Sequence, residues 1–148
     1  MSVTRPMTKG DFDHIVTVID QWAGGMSREL GHPVFFHQLG RHNRVIELGG
    51  SGEIIAFLFG FLTPEAQSVG YVHLVGVHPE HRRGGVGRTL YAGFEEVART
   101  GGAKSLAAIT MVGNEQSVAF HHAMGWTSRV VADYAGPGRA RIVLEKSL

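Results

Sequence analysis

The residues whose types and spacing point most directly to chemistry lie in Val75-Gly76-Val77-His78-Pro79-Glu80-His81-Arg82-Arg83-Gly84-Gly85-Val86-Gly87-Arg88-Thr89-Leu90. An apolar, β-branched run ends at a proline, two arginines follow, and three glycines fall within four positions. Leu90, Phe94 and Val97 then recur at i, i+4 and i+7, one face of a helix. The glycines therefore sit where a strand hands over to the first turn of a helix. Such a turn leaves about four backbone N–H groups without intrahelical partners, at the positive end of the helix dipole. Glycine permits unusual dihedrals there and lets a ligand approach without meeting a Cβ. The predicted ligand is a phosphate or pyrophosphate, with Arg82, Arg83 and Arg88 adding charge.

The loop is neither of two common nucleotide sites. No G-x-x-x-x-G-K-[ST] string occurs, and G-x-G-x-x-G fails because Gly85-Val86-Gly87-Arg88-Thr89 is followed by Leu90. What fits is R-x-x-G-x-G, read as Arg82, Gly85 and Gly87 after a strand ending Val-His-Pro. A second stretch, Asn114-Glu115-Gln116-Ser117-Val118-Ala119-Phe120-His121-His122-Ala123-Met124-Gly125-Trp126, lies further along. Together the two resemble the paired signatures of the GNAT N-acetyltransferase superfamily, the second being roughly N-x-x-[AS]-x-x-[FL]-Y-x-x-x-G-[FW]. They stand in the family's order and cover about the second half of the chain.

The resemblance implies acetyl-CoA as cosubstrate, its pyrophosphate held by Arg82, Arg83, Gly84, Gly85, Val86, Gly87 and Arg88. It also implies that the backbone near Val75 and Val77 pairs with the pantetheine arm as an added strand would. Asn114 gains a contact to the coenzyme, although an asparagine at a helix start is also a plain N-cap. The acceptor amine would arrive near residues 71 to 73 and must lose a proton, and His73 titrates close enough to neutrality to take it. The ordinary alternative for His73 is a hydrogen-bonded core histidine. The glutamate base of other members would fall near Tyr71, where this chain has none.

His121 stands where the family usually has a tyrosine that protonates the departing thiolate. A phenol (pKa about 10) and an imidazolium (about 6.5) can both give a proton to a thiolate of pKa about 8.5. Three readings stay open at this point. His121 is the acid, or it only hydrogen-bonds the sulfur or pantetheine, or His122 does the work from about 100° round the helix.

Composition narrows the rest. The 148 residues suffice for one domain and are too few for two ordinary ones. Hydrophobic content of 43% and charged content of 18% are those of a globular chain. Net charge is 14 − 13 = +1, with the arginines clustered at the loop, so neither a nucleic-acid nor a membrane partner is expected. The absence of cysteine excludes an acyl-cysteine route and disulfides. His78-x-x-His81 and His121-His122 have no cysteine or carboxylate at ligand spacing, so no metal is expected. Met1 to Pro6 has no apolar signal core, and a cytoplasmic protein is the default expectation.

The elements that must position these groups follow from periodicity. A strand at 3–7 precedes a helix at 9–22, introduced by Thr8 and Asp11 as a near capping box. Residues 27–40 read as one or two short helices broken at Gly31 and Pro33. Strands follow at 43–48, 53–62 and 71–77, with Tyr71, His73, Val75 and Val77 expected on one face and Val72, Leu74 and Gly76 on the other. A helix to Thr100, a strand at 105–110, a helix at 114–124 and strands at 129–133 and 139–145 complete the chain. The order β-α-α-β-β-β-α-β-α-β-β predicts one α/β domain over residues 1–148, a mixed six- to seven-stranded sheet with helices on both faces. Trp22, Phe35, Phe36, Phe57 and Phe59 are candidates for an acceptor pocket, with Glu29, Asp133 and Tyr134 for a cationic amine. The expected reaction is acetyl transfer to the primary amine of a small molecule. A protein N-terminus or lysine as acceptor, and a non-catalytic acyl-CoA-binding module, are the alternatives. Dimers are frequent in the family, so a homodimer is compatible with the reading.

Overall fold

Thr8 caps the first helix from both sides in the computed structural model, which describes residues 3–148 and leaves Met1 and Ser2 outside the described residues. Its hydroxyl accepts from the Asp11 amide at 3.1 Å, and the Asp11 carboxylate accepts from the Thr8 amide at 2.8 Å. Arg5 grips Asp11 at 2.6 Å and Glu47 at 3.2 Å, joining strand β1 (Thr4–Pro6), helix α1 (Lys9–Trp22) and strand β2 (Arg44–Glu47). Between α1 and β2 the chain forms a 3₁₀ turn at Arg28–Gly31, a short helix α2 (Val34–His37) and a second 3₁₀ turn at Gly40–His42. The break falls at Gly31 to Pro33, as the sequence predicts.

Strands β3 (Ile54–Leu62) and β4 (Val69–Val77), helix α3 (Val86–Thr100), strand β5 (Ser105–Thr110), helix α4 (Glu115–Ala123) and strands β6 (Thr127–Val131) and β7 (Arg141–Ser147) follow. They form one seven-stranded mixed sheet in the order β1-β2-β3-β4-β5-β7-β6. Only β4 and β5 run parallel. The last two strands begin two residues from their expected positions, because the turn between them is wide: Asp133 closes it by accepting from the Gly138 amide at 2.7 Å. Helices α1 and α2 cover one face around Ile15, Ile19, Phe57 and Phe59, while α3 and α4 cover the other around Leu90, Phe94, Leu106 and Leu144. Phe57 and Phe59, expected in an acceptor pocket, are wholly buried between sheet and α1, where they serve as core.

Two irregularities in β4 shape the site. The pairing with β3 steps from Phe59↔Leu74 to Gly60↔Val72, so His73 has no partner opposite. This bulge breaks the simple alternation expected of the strand. Val72, Val75 and Val77 pack with the α3 side, whereas Leu74 packs with the α1 side and His73 stacks on Phe35 of α2. His73 and the two valines thus occupy opposite faces, a correction to the single face expected from period two. The second irregularity is on the other edge. The β4–β5 ladder ends at Val72↔Ala108, while β5 continues along β7 to Thr110↔Ile142. From His73 onward β4 therefore runs without a neighbour on that side.

Asn43 pins the bulge to the segment above it. It is 1% exposed, accepts from the Gly60 amide at 3.0 Å and donates to the Phe35 carbonyl at 2.8 Å. An Asn43→Ala variant strands both backbone groups in the interior, at about 1–3 kcal/mol. Urea unfolding is expected to show a lower midpoint at unaltered m-value.

Candidate active site

The gap between β4 and β5 opens into a cleft of about 490 Å³, within the range of small-molecule sites. The free stretch of β4 supplies Val75 and Val77 to one wall. Arg82, Gly85, Gly87 and Arg88 come from the loop and first turn of α3, Asn114, Gln116 and Ser117 from the start of α4, and Trp22 to Gly24 from the end of α1. Of the loop residues expected here, Arg83 and Gly84 are exposed at its tip, and neither they nor Val86 line the cleft.

The loop's geometry explains its glycines. Gly85 is the residue before the helix and has φ +76°, a left-handed conformation that costs most other residues strain. The first hydrogen bond of α3 runs from the Thr89 amide to the Gly85 carbonyl at 3.1 Å. The amides of Val86, Gly87 and Arg88 precede it and have no protein acceptor among the described residues. At Gly87 a Cβ would lie 3.2 Å from the Phe120 ring, so a side chain there would crowd α4. Arg82 does more than add charge: its guanidinium donates to the Gln21 carbonyl at 2.8 Å and the Val77 carbonyl at 3.4 Å, tying the loop to α1 and to β4.

Asn114 caps α4, accepting from the Ser117 amide at 3.2 Å and donating to the Thr110 hydroxyl at 2.9 Å. Capping and cleft lining coincide in this one residue. His121 lies on the cleft floor at 4% exposure. Its Nδ1 is 2.7 Å from the Ser117 carbonyl, which can only accept, so the ring proton sits on Nδ1. In the neutral ring Nε2 then accepts from the Tyr91 hydroxyl at 2.8 Å, whereas in an imidazolium it would donate to the phenol oxygen. Burial lowers the imidazole's pKa, the Ser117 carbonyl opposes this, and nearby His122 lowers it further. Burial favours the neutral ring, and in either state both ring nitrogens are engaged, so His121 has no free N–H to offer the cleft. His122 points elsewhere, bonded to the Ser128 hydroxyl at 2.9 Å.

His73 faces the other side of the sheet. Its ring stacks on Phe35 at 3.8 Å between centroids, and Nε2 donates to the Leu30 carbonyl at 2.8 Å. This leaves the Nδ1 lone pair free among the described residues. Burial lowers its pKa more than the Leu30 bond raises it. The α1–β2 segment thus lies over His73 as a cover.

Tyr91 escapes a reading of motifs, yet a signal exists: it is four residues beyond Gly87 and so continues the cleft-facing side of α3. Its partnership with His121 is invisible because the two are 30 residues apart.

The class of protein is set by the fold: a mixed α/β sheet splayed beside an open helix N-terminus. The Acetyltransferase (GNAT) family model matches residues 13–126. The chain belongs to this family, and with it to the acetyl-CoA-dependent N-acetyltransferases. Its fold is similar to that of Arabidopsis thaliana Naa50 in complex with the bisubstrate analogue CoA-Ac-MVNAL, at TM-score 0.79 and 12% identity, covering 99% of each chain. It is similar also to Ard1 from Thermoplasma volcanium, at TM-score 0.79 and 14% identity over 99% of this chain and 97% of the other. The ribosomal-protein-S18-alanine N-acetyltransferase from Escherichia coli aligns at TM-score 0.75 and 17% identity, over 99% and 94%. No curated protein matches the sequence.

The buried imidazole has a measurable signature. A histidine whose folded pKa lies below its unfolded value contributes stability that is complete above about pH 6.5 and is lost as pH falls through the folded value. Unfolding free energy is therefore expected to drop between pH 7 and pH 5. A His121→Gln variant should show a shallower drop in urea titrations over the same interval.

Proposed function

We propose that the chain, acting as a single domain over residues 1–148, transfers the acetyl group of acetyl-CoA to the primary amine of a small molecule. The amine attacks directly within a ternary complex. The observation that carries this reading is that the stretch of β4 without a strand neighbour and the first α3 amides, without an acceptor among the described residues, border one cleft. Such a pairing suits a ligand with a peptide-like arm and a charged diphosphate. The residues present fit that group: α3 amides, Arg82 and Arg88 for the diphosphate, with Arg83 adding charge from the loop tip, Val75 and Val77 backbone for the arm, and Asn114 beside it.

In this reading the thioester lies in the gap between the two faces of the sheet. Backbone N–H groups near Val75 to Val77 polarise its carbonyl and hold the oxyanion that forms. His73, on the opposite face, takes the amine's proton on Nδ1, directly or through one water. The amine nitrogen bonds to the carbonyl carbon, the C–S bond breaks, and the sulfur leaves with its electron pair. His121 serves at the sulfur end, not as an imidazolium but as a fixed neutral ring. The chain has no cysteine to carry an acyl group.

A small acceptor is favoured by the cover over His73. Leu30 and Phe35 sit directly on the imidazole, and Asn43 holds Phe35 down on the sheet. A polypeptide acceptor needs an open groove at that position, and a free amine needs only a gap.

The test is thiol release from acetyl-CoA with a panel of polyamines, arylalkylamines, amino acids, aminoglycosides and short peptides. Turnover with a small amine is expected. Preference for peptides would replace the small acceptor by a protein N-terminus or lysine, and acetyl-CoA binding without turnover would leave a non-catalytic module. With the best acceptor, His73→Ala should lower kcat/KM by about 10²–10⁴. Because burial depresses the His73 pKa, the ring stays neutral to lower pH than a free histidine. The acid limb of the wild-type kcat/KM profile should accordingly fall below pH 6.5 and be absent in the variant.

A further inference from the structure

Two polar side chains on the cleft floor are nine-tenths buried, Tyr91 at 8% and His121 at 4% exposure. The other charged and amide side chains of the cleft, Arg82, Arg88, Asn114 and Gln116, are exposed around its mouth. In the acetyl-CoA reading, a coenzyme with its diphosphate at that mouth would extend its sulfur toward the floor. Which proton would the sulfur meet there? The Nδ1–H of His121 is given to the Ser117 carbonyl, and its Nε2 is a lone pair. Among the described residues two hydroxyls line the cleft: that of Ser117 is half-exposed beside the His121 Nδ1 side, and the nine-tenths-buried one is that of Tyr91, on that lone pair at 2.8 Å.

We propose that Tyr91, supplied by α3, is the catalytic residue that hydrogen-bonds the departing sulfur, and that His121 is its positioning residue. The inference rests on the acetyl-CoA reading above. As the C–S bond breaks, the Tyr91 O–H turns from Nε2 to the sulfur, which gains negative charge. The O–H bond itself stays intact. The thiolate later takes from solvent the proton that His73 released there, so the amine's loss and the thiol's gain balance. Burial raises the Tyr91 pKa well above that of a free phenol, which keeps the hydroxyl protonated at every working pH. Its edge-on packing against Phe120, His121 and Trp126 leaves the ring little freedom except rotation of the hydroxyl. Where the family resemblance implies a phenol at position 121, this chain has an imidazole with the Tyr91 phenol of the neighbouring helix against it.

Binding of CoA and of desulfo-CoA, which lacks the sulfur, tests the proposal without any acceptor. At pH 8.5 the wild-type protein should bind CoA about 10-fold or more tightly than desulfo-CoA, as a hydrogen bond to a charged acceptor requires. Tyr91→Phe should lose that preference and keep its affinity for desulfo-CoA. Titrating the thiolate absorbance of CoA bound to the wild-type protein gives a second measure, independent of any variant. The thiol should ionise at a lower pH than that of free CoA titrated alongside. A Tyr91→Phe, His121→Tyr double variant, which moves the phenol to α4, should regain part of the preference. If CoA and desulfo-CoA both fail to bind the wild type, the acetyl-CoA reading itself falls. If they bind with equal affinity, if bound CoA ionises at or above the pH at which free CoA does, or if a folded Tyr91→Phe keeps the preference, Tyr91 has no such role.

Discussion

A parallel strand pair that stops after four residues is the constraint on which the site depends. Pairing of Val69 to Val72 with Ser105 to Ala108 holds the two halves of the sheet together. Beyond it β5 is carried away by its antiparallel partner β7, and β4 by β3. Backbone groups left without a ladder in the interior are costly unless something pairs with them. In this fold the unpaired edge is placed where a cleft can bring them a ligand, between the first turns of α3 and α4.

The bulge at His73 gives the same strand a second task. Without it, period two would put His73, Val75 and Val77 on one face, and in the proposed reaction a base and a coenzyme would compete for the same space. With one residue unmatched, the imidazole turns toward α2 while the valines stay toward α3. A single strand then presents His73 to one side of the sheet and the two valines to the other. Asn43 spans the slip by bonding Gly60 at the bulge and Phe35 above it, so sheet register and the cover over His73 are set by one side chain.

Much of this architecture is legible in the sequence, and the illegible parts share a cause. Helix α1 is found to the residue because its capping box and apolar stripe are local, and β5 is found at both ends because Gly102 and Gly113 bracket it. The glycine loop is read correctly as a strand-to-helix handover for the same reason. What fails depends on partners distant in the chain. The face on which His73 emerges is decided by β3, not by the pattern of β4. Phe57 and Phe59 look like pocket aromatics until α1 is laid over them. The three readings of His121 cannot be narrowed from the motif, because its partners Tyr91 and Ser117 show only in the fold. The turn before β7 is misplaced by two residues because Asp133 widens it through a bond to Gly138.

The contact between Gly87 and Phe120 carries a consequence for recognition. With a would-be Cβ only 3.2 Å from the ring, the opening turn of α3 and the body of α4 abut without an intervening side chain. Arg82 adds a strut from the same loop to the carbonyl of Gln21. Both walls are thereby preassembled, and association forfeits little disorder in the host, so the affinity left over should be governed by desolvation and not by a search for shape.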